Sequence, residues 1–268
     1  MPRGFDIIGS REKSAAIVEI SDEERGKENE IAEKIMRDNK SVKSVLKKES
    51  AREGDYRTRK YKLIAGDKNT EVLHKEYGYS LKLDPQKVYF SNRESTERQR
   101  VAKQVGPDEF AIVMFAGIGP YAIAICKAQP EVKKVIAVEV NPDAVEYMKH
   151  NIRINKLSHK IVPVLGDVRK VCERWYGKCD RVVMPLPLGA ESFLEVAVKC
   201  LGGQGIVHLY SWGNGPNLFS NGIGLIEKNL KPLKGEYEII DKRVVLPYSP
   251  RKYKVCIELR FKKMKVSG

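Results

Sequence analysis

Two hydrophobic rhythms divide the chain. In its C-terminal part, short apolar and β-branched runs read as strands: AIVMF from Ala111, VIAVEV from Val135, IVPVLG from Ile161, RVVMPL from Arg181 and GIVHLY from Gly205. Between them YAIAICKA, DAVEYMKHNIRI, VRKVCERWY and ESFLEVAVKCL read as helices, and in the second Val145, Met148 and Ile152 share one face. Such alternation predicts a parallel sheet covered on both faces. The end departs from it. EYEIIDKRVVLPYS and KYKVCIELRF, joined at Pro250-Arg251, predict an antiparallel hairpin rather than another crossover.

Nearer the N-terminus, SAAIVEI predicts a strand, and ERGKENEIAEKIMRDN a helix whose Ile31 and Ile35 face inward. VKSVLKK, TEVLHKEYGYSLKL and KVYFS predict further strands, their alternation partly masked by lysines. These elements make a small α+β domain over residues 1–90. A helix from about Ser95 to Val105 then leads into an α/β domain over residues 91–268. A 42% hydrophobic content in 268 residues suffices for a sizeable core.

Charge adds a partner. The chain has 49 Lys+Arg against 35 Asp+Glu, a net charge of +14, and a Lys-rich thermophilic surface would be balanced by Glu. The excess points to nucleic acid. It is concentrated in AREGDYRTRKYKLIAGDKN, where Arg52, Arg57, Arg59, Lys60 and Lys62 interleave with Tyr56 and Tyr61. Cations beside aromatic faces suit phosphates and unstacked bases, although a solvated hairpin has the same composition. The N-terminus MPRGFDIIGSREK lacks a signal-peptide core, and no run reaches the ~18 apolar residues of a membrane helix, so a soluble cytoplasmic protein is expected. Cys126, Cys172, Cys179, Cys200 and Cys256 form no C-x-x-C pair and the histidines are scattered, so no metal is expected.

Candidate chemistry lies at the first strand–helix turn of the second domain. The apolar run to Phe115 stops at Gly117-Ile118-Gly119, and Pro120 opens a helix. Small residues there let a ligand touch backbone. The next strand ends in Glu139, whose carboxylate at the strand's C-terminal edge can bind a ribose diol, and the third delivers Asp167. Gly117-x-Gly119-x-x-Ala122 also satisfies a relaxed dinucleotide fingerprint. Acids after two successive strands suit S-adenosylmethionine, with Glu139 on the ribose and the Asp167 region on the adenine amino group. The antiparallel closing hairpin likewise fits a class I methyltransferase, with its Rossmann-like mixed sheet, better than a dehydrogenase.

YGYSLKLDPQKVYFSNRESTERQRV, FAGIGPYAIA, NPDAVEYMKHNIRINKL, RVVMPLPLGAESFL and YSPRKYKV, in this order, resemble the archaeal tRNA (guanine-37, N1)-methyltransferase family over nearly the whole chain. The resemblance implies methyl transfer from S-adenosylmethionine to guanine N1 in the anticodon loop of tRNA; the oligomeric state is unresolved in the sequence, with a monomer favoured. Many members carry a further N-terminal domain that grips the tRNA elbow, and this chain begins where that domain would have ended. Guanine N1 carries a proton, so the reaction needs a carboxylate to accept it and a cation to offset charge on O6. By motif position these roles fall on Glu97 in STERQR and Arg57 in GDYRTR. Tyr89 and Arg98 match family residues at the cofactor, joined there by Phe115, Ala116, Gly117, Gly119, Glu139, Val140, Asp167, Val168 and Pro185. Arg57, Arg59, Lys60 and Pro187 match the substrate side.

Two positions depart from the family pattern. Val113 stands where an Asp often precedes the Phe-Ala-Gly turn, and Pro185 where an Asn is common, so no amide side chain or backbone N–H is offered there. Two alternatives follow: an aminocarboxypropyl transferase of wybutosine biosynthesis, which moves the other substituent on sulfur, and a noncatalytic RNA-binding relative.

Overall fold

The computed structural model describes residues 4–50 and 59–265. The N-terminal unit is a sheet of β1 (Phe5–Gly9), β2 (Ser14–Val18), β3 (Val42–Lys48) and β4 (Tyr61–Gly66), in that order. β1 pairs antiparallel with β2, and β3 with β4, whereas β2 and β3 run parallel because α1 (Glu28–Asp38) makes the crossover between them. Ala32 and Ile35 of α1 pack on Ala16, Val18 and Val45. Ile35 faces inward as its spacing predicts, while Ile31 is partly buried at the same contact.

β5 (Val72–Glu76) and β6 (Tyr79–Leu83) form a separate hairpin. It is bonded to α4 (Pro142–Ile154) and the residue that follows it. The Asn151 side chain pairs with both the N–H and C=O of Lys82, and Asn155 does the same to Ser80. Two amides from the α/β layer thus satisfy the hairpin's outer edge.

KVYFS is also not a strand. Lys87 and Val88 both donate to the Asp84 carbonyl in a turn, yet Val88 and Phe90 are buried, so its apolar alternation reflects burial in a loop.

The second layer is the expected mixed sheet, ordered β12-β13-β11-β10-β7-β8-β9. Its strands are β7 (Phe110–Met114), β8 (Lys134–Glu139), β9 (Ile161–Leu165), β10 (Arg181–Met184), β11 (Gly205–Asn214), β12 (Lys234–Ser249) and β13 (Lys252–Lys265). β7 to β11 pair in parallel, and β13 runs antiparallel to both β11 and β12. The helices are α2 (Ser95–Ala102), α3 (Pro120–Ala128), α4, α5 (Val168–Val171), α6 (Leu194–Leu201) and α7 (Ser220–Leu230). Gly222 and Gly224 hide α7 in the sequence. At Gly222 a Cβ would come within 2.7 Å of Ile257 Cδ1. β7 and β10 are neighbours from which the chain order runs outward both ways, and ligands bind at the carboxyl ends of strands at such a switch point.

Candidate active site

At that switch point the backbone curls. Phe115, Gly117 and Gly119 all have positive φ (57°, 55° and 87°), which turns the chain from β7 into α3 within a few residues. Gly119 also lies where a Cβ would stand 3.0 Å from Met148 Cγ, so both conformation and space select glycine. Glu139, at the end of β8, points back into this turn. Its Oε2 accepts from Gly117 N–H at 2.7 Å, and its Oε1 accepts from Val140 and Asn141 N–H, each at 2.9 Å. Burial raises its pKa, opposed by those amides. Asp167, two residues past the end of the neighbouring strand, caps α5 by accepting from Arg169 N–H at 2.8 Å. The two acids stand at the ends of adjacent strands, since Glu139 pairs with Leu165, two residues before Asp167.

A cavity of about 370 Å³ opens beside the turn. It is lined by Phe115, Ala116, Gly117 and the Pro185-Leu186-Pro187 loop after β10, together with Tyr89 and Arg98. The N-terminal sheet adds Arg59 and Tyr61, and the terminal hairpin adds Tyr248 and Lys254. The cavity thus joins three parts of the chain far apart in sequence. Gly119, Val140, Val168, Glu139 and Asp167 lie outside its wall, with Glu139 attached to it through Gly117. Lys60 is exposed and also outside the wall, and Arg57 lies outside the described residues.

Arg59 is half-buried on the wall, and its Nε is buried without a hydrogen-bond partner among the described residues. A donor so placed calls for an acceptor from a ligand. Arg98 is committed to the protein instead. It donates from Nε and Nη2 to both oxygens of Glu76, at 2.8 and 2.6 Å, and from Nη1 to the Ser91 carbonyl. It lines the cavity as a fixed cation.

Glu97 is not brought to the cavity. Its carboxylate accepts from Arg100 at 2.8 and 2.7 Å and from the Tyr210 hydroxyl at 2.6 Å, on the side of α2 that faces β11 and β13. Three residues earlier, Glu94 does line the cavity. It pairs with Lys254 at 2.7 Å and accepts from the Tyr89 hydroxyl at 3.2 Å. Sequence reasoning missed both Glu94 and Lys254. Lys254 lies in a strand whose two faces are both covered, so its burial leaves no period-two signature.

Val113, fully buried, packs in the sheet core between Val183 and Ala137 and does not reach the cavity. Among the described residues, one trio has metal-ligand chemistry: His208, Cys256 and Glu258. Arg100 and Arg181 reach into it, with Arg181 donating to His208 Nε2 at 2.8 Å, so guanidinium charge stands where a cation would have to sit. No helix among the described residues is long and apolar enough to cross a membrane.

Strand order, glycine turn, strand-end acids and switch-point cavity together define a class I methyltransferase. More narrowly, the chain belongs to the TRM5/TYW2 methyltransferase family, whose domain model matches residues 72–240, while a TYW2 N-terminal domain model matches residues 1–70. It is 40% identical to the tRNA (guanine(37)-N(1))-methyltransferase Trm5b of Pyrococcus abyssi, over 97% of this chain and 75% of that protein. To the Trm5b of Methanocaldococcus jannaschii it is 37% identical, over 97% of this chain and 71% of the relative. Among solved structures, an aTrm5–tRNALeu complex superposes with a TM-score of 0.84 at 36% identity, covering 97% of this chain and 72% of that one.

Proposed function

We propose that this protein transfers the methyl group of S-adenosylmethionine to N1 of guanine 37 in tRNA. One observation carries the reading: a single cavity joins the class I cofactor turn at Gly117 to Arg59 of the basic N-terminal unit. The relatives matched over nearly the whole chain are named for this reaction, which supports it. S-adenosylmethionine supplies an electrophilic methyl group on a sulfonium.

The residues present fit that group. Glu139, fixed by three backbone amides, is the ribose acceptor, and Asp167, just past the adjacent strand, is the group for the adenine. Arg59 offers its unpaired Nε–H to an RNA oxygen. Trp212 and Tyr248, with ring centroids 4.5 Å apart and Lys252 5.0 Å from the Trp212 ring, present a stacking face for a base drawn out of the anticodon loop. A tRNA substrate supports action in the cytoplasm.

The test is incubation with labelled S-adenosylmethionine and tRNA transcripts carrying guanine or adenine at position 37, followed by nucleoside mass spectrometry. N1-methylguanine at position 37, with S-adenosylhomocysteine released, is expected from the guanine transcript alone. The match of residues 1–70 to a TYW2 N-terminal domain favours a second reading, aminocarboxypropyl transfer. That reaction would release methylthioadenosine instead.

A further inference from the structure

Lys254 is a buried ammonium that touches separate parts of the chain. It stands in β13 between Trp212 of β11 and Leu246 of β12 and is only 3% exposed. Its Nζ donates to Glu94 Oε2 at 2.7 Å and to the Pro185 carbonyl at 3.0 Å, and lies 4.8 Å from the Tyr210 ring. Glu94 ends the short turn Asn92–Glu94 that leads into α2, and Pro185 opens the loop after β10. Both line the cavity, as does Lys254. One side chain thus joins two stretches of the cavity wall that come from different elements.

Each partner is placed to need the contact. Pro185 and Pro187 have no N–H, so backbone donors cannot fix the loop at those positions, and Lys254 holds it by the Pro185 carbonyl instead. The turn before α2 is tied on its other side to the N-terminal sheet. Asn92 Nδ2 donates to the Ile7 carbonyl at 2.8 Å, and Arg93 pairs with Asp6 at 3.1 Å. The N-terminal unit, the start of α2 and the Pro185 loop are therefore bonded in series through Glu94 and Lys254. Stability does not account for the pair. Desolvating two charges costs about what their attraction returns, and apolar side chains of similar volume would serve the fold as well.

We propose that Lys254 is a positioning residue for methyl transfer: held by Glu94, it fixes the Pro185 loop relative to the leading turn of α2, and so sets the part of the cavity that the acceptor base must fit. The inference rests on the methyl-transfer reading above. Neither Glu94 nor Lys254 exchanges a proton in the step, and Glu97, in the first turn of α2, keeps the acceptor role that its motif position implies. Attack on the sulfonium methyl tolerates little error, since misplacing a reacting group by about 1 Å costs roughly 100-fold in rate.

The test exchanges the pair for apolar side chains, Glu94→Leu with Lys254→Met, and follows single-turnover methylation of a guanine-37 transcript at saturating cofactor and tRNA. The urea midpoint should be level with wild type or higher. Affinities for S-adenosylmethionine and tRNA are expected to stay within about threefold while the saturated rate falls roughly 20-fold or more. The pH–rate profile should keep its wild-type shape at lower amplitude, because the proton acceptor is untouched. Should the apolar pair not fold, Glu94→Gln with Lys254→Gln takes its place: the amide ends one bond short of the ammonium, and the same split between rate and affinity is expected. The proposal is overturned if a folded variant transfers methyl within about threefold of wild type, or if the loss lies in affinity with the saturated rate intact. A changed shape of the pH–rate profile also overturns it, by putting the pair in the proton transfer. A wild type that leaves guanine 37 unmethylated overturns the methyl-transfer reading itself, whereas an active wild type with an unimpaired apolar pair overturns only the role of Lys254.

Discussion

Glu139 shows how much a single residue can reveal. Its carboxylate accepts three backbone N–H groups, so a neutral amide in its place would turn an NH2 toward a donor and lose at least one charge-assisted bond. Glu139→Gln is expected to weaken S-adenosylmethionine binding at least tenfold, roughly 1.4 kcal/mol, by calorimetry. Because burial raises the Glu139 pKa, it takes up a proton before an ordinary glutamate as pH falls. Cofactor affinity in the wild type should decline correspondingly early on acidification, and this pH dependence should vanish in Glu139→Gln. Glu139 was legible because a strand-end acid one βα unit after a glycine turn is a local pattern. The choice between Glu94 and Glu97 was not. Both sit in SNRESTERQR, and which of them meets the cavity depends on how α2 packs on its neighbours.

At the scale of elements, the β5–β6 hairpin is held by side chains from outside it. Asn151 is fully buried and bonds Lys82 N–H and C=O together with the Ile118 carbonyl. Asn151→Ala would strand these groups and is expected to destabilise the protein by about 2–4 kcal/mol, read from urea unfolding. The hairpin's strands were readable from alternation, but their attachment to α4 was not, since an Asn on a helix gives no sign of what it clamps. β1 and α7 were also invisible, the first because FDIIG is short and the second because its two glycines weaken the helical pattern. The terminal hairpin was foreseen, yet its stacking face arises only when β11 and β12 bring Trp212 beside Tyr248 across β13. Tyr248→Ala should weaken tRNA binding by about 1–3 kcal/mol while leaving cofactor affinity unchanged, as measured by filter binding and calorimetry.

The whole molecule is braced by buried ion pairs. Burial alone would raise the carboxyl of Glu76, but hydrogen bonds from His74 and Arg98 outweigh it and hold the pKa at about 2, against an ordinary 4.5. Glu258 is likewise held at about 2, burial being outweighed by hydrogen bonds from His208 and Arg100. Both folded-state values lie below the unfolded one, so the unfolded chain binds protons first as pH falls. The stabilisation is fully present above pH 4.5 and is lost progressively as pH falls toward 2. Urea midpoints should therefore be level near neutrality and fall steeply between these limits, with a shallower fall in Glu258→Gln.

By itself the sequence determined the α/β layer, the glycine turn and the strand-end acids, because strand and helix periods and turn residues act over a few neighbouring positions. The family followed from the order of such segments. Only the tertiary structure decided which charges meet. Arg59, Glu94, Pro185 and Lys254 come from four separate stretches of the chain and share one cavity, whereas Glu97 and Arg98 are drawn into pairs with Arg100 and Glu76. A buried carboxylate must find a cation, and which cation it finds is settled by how the layers pack.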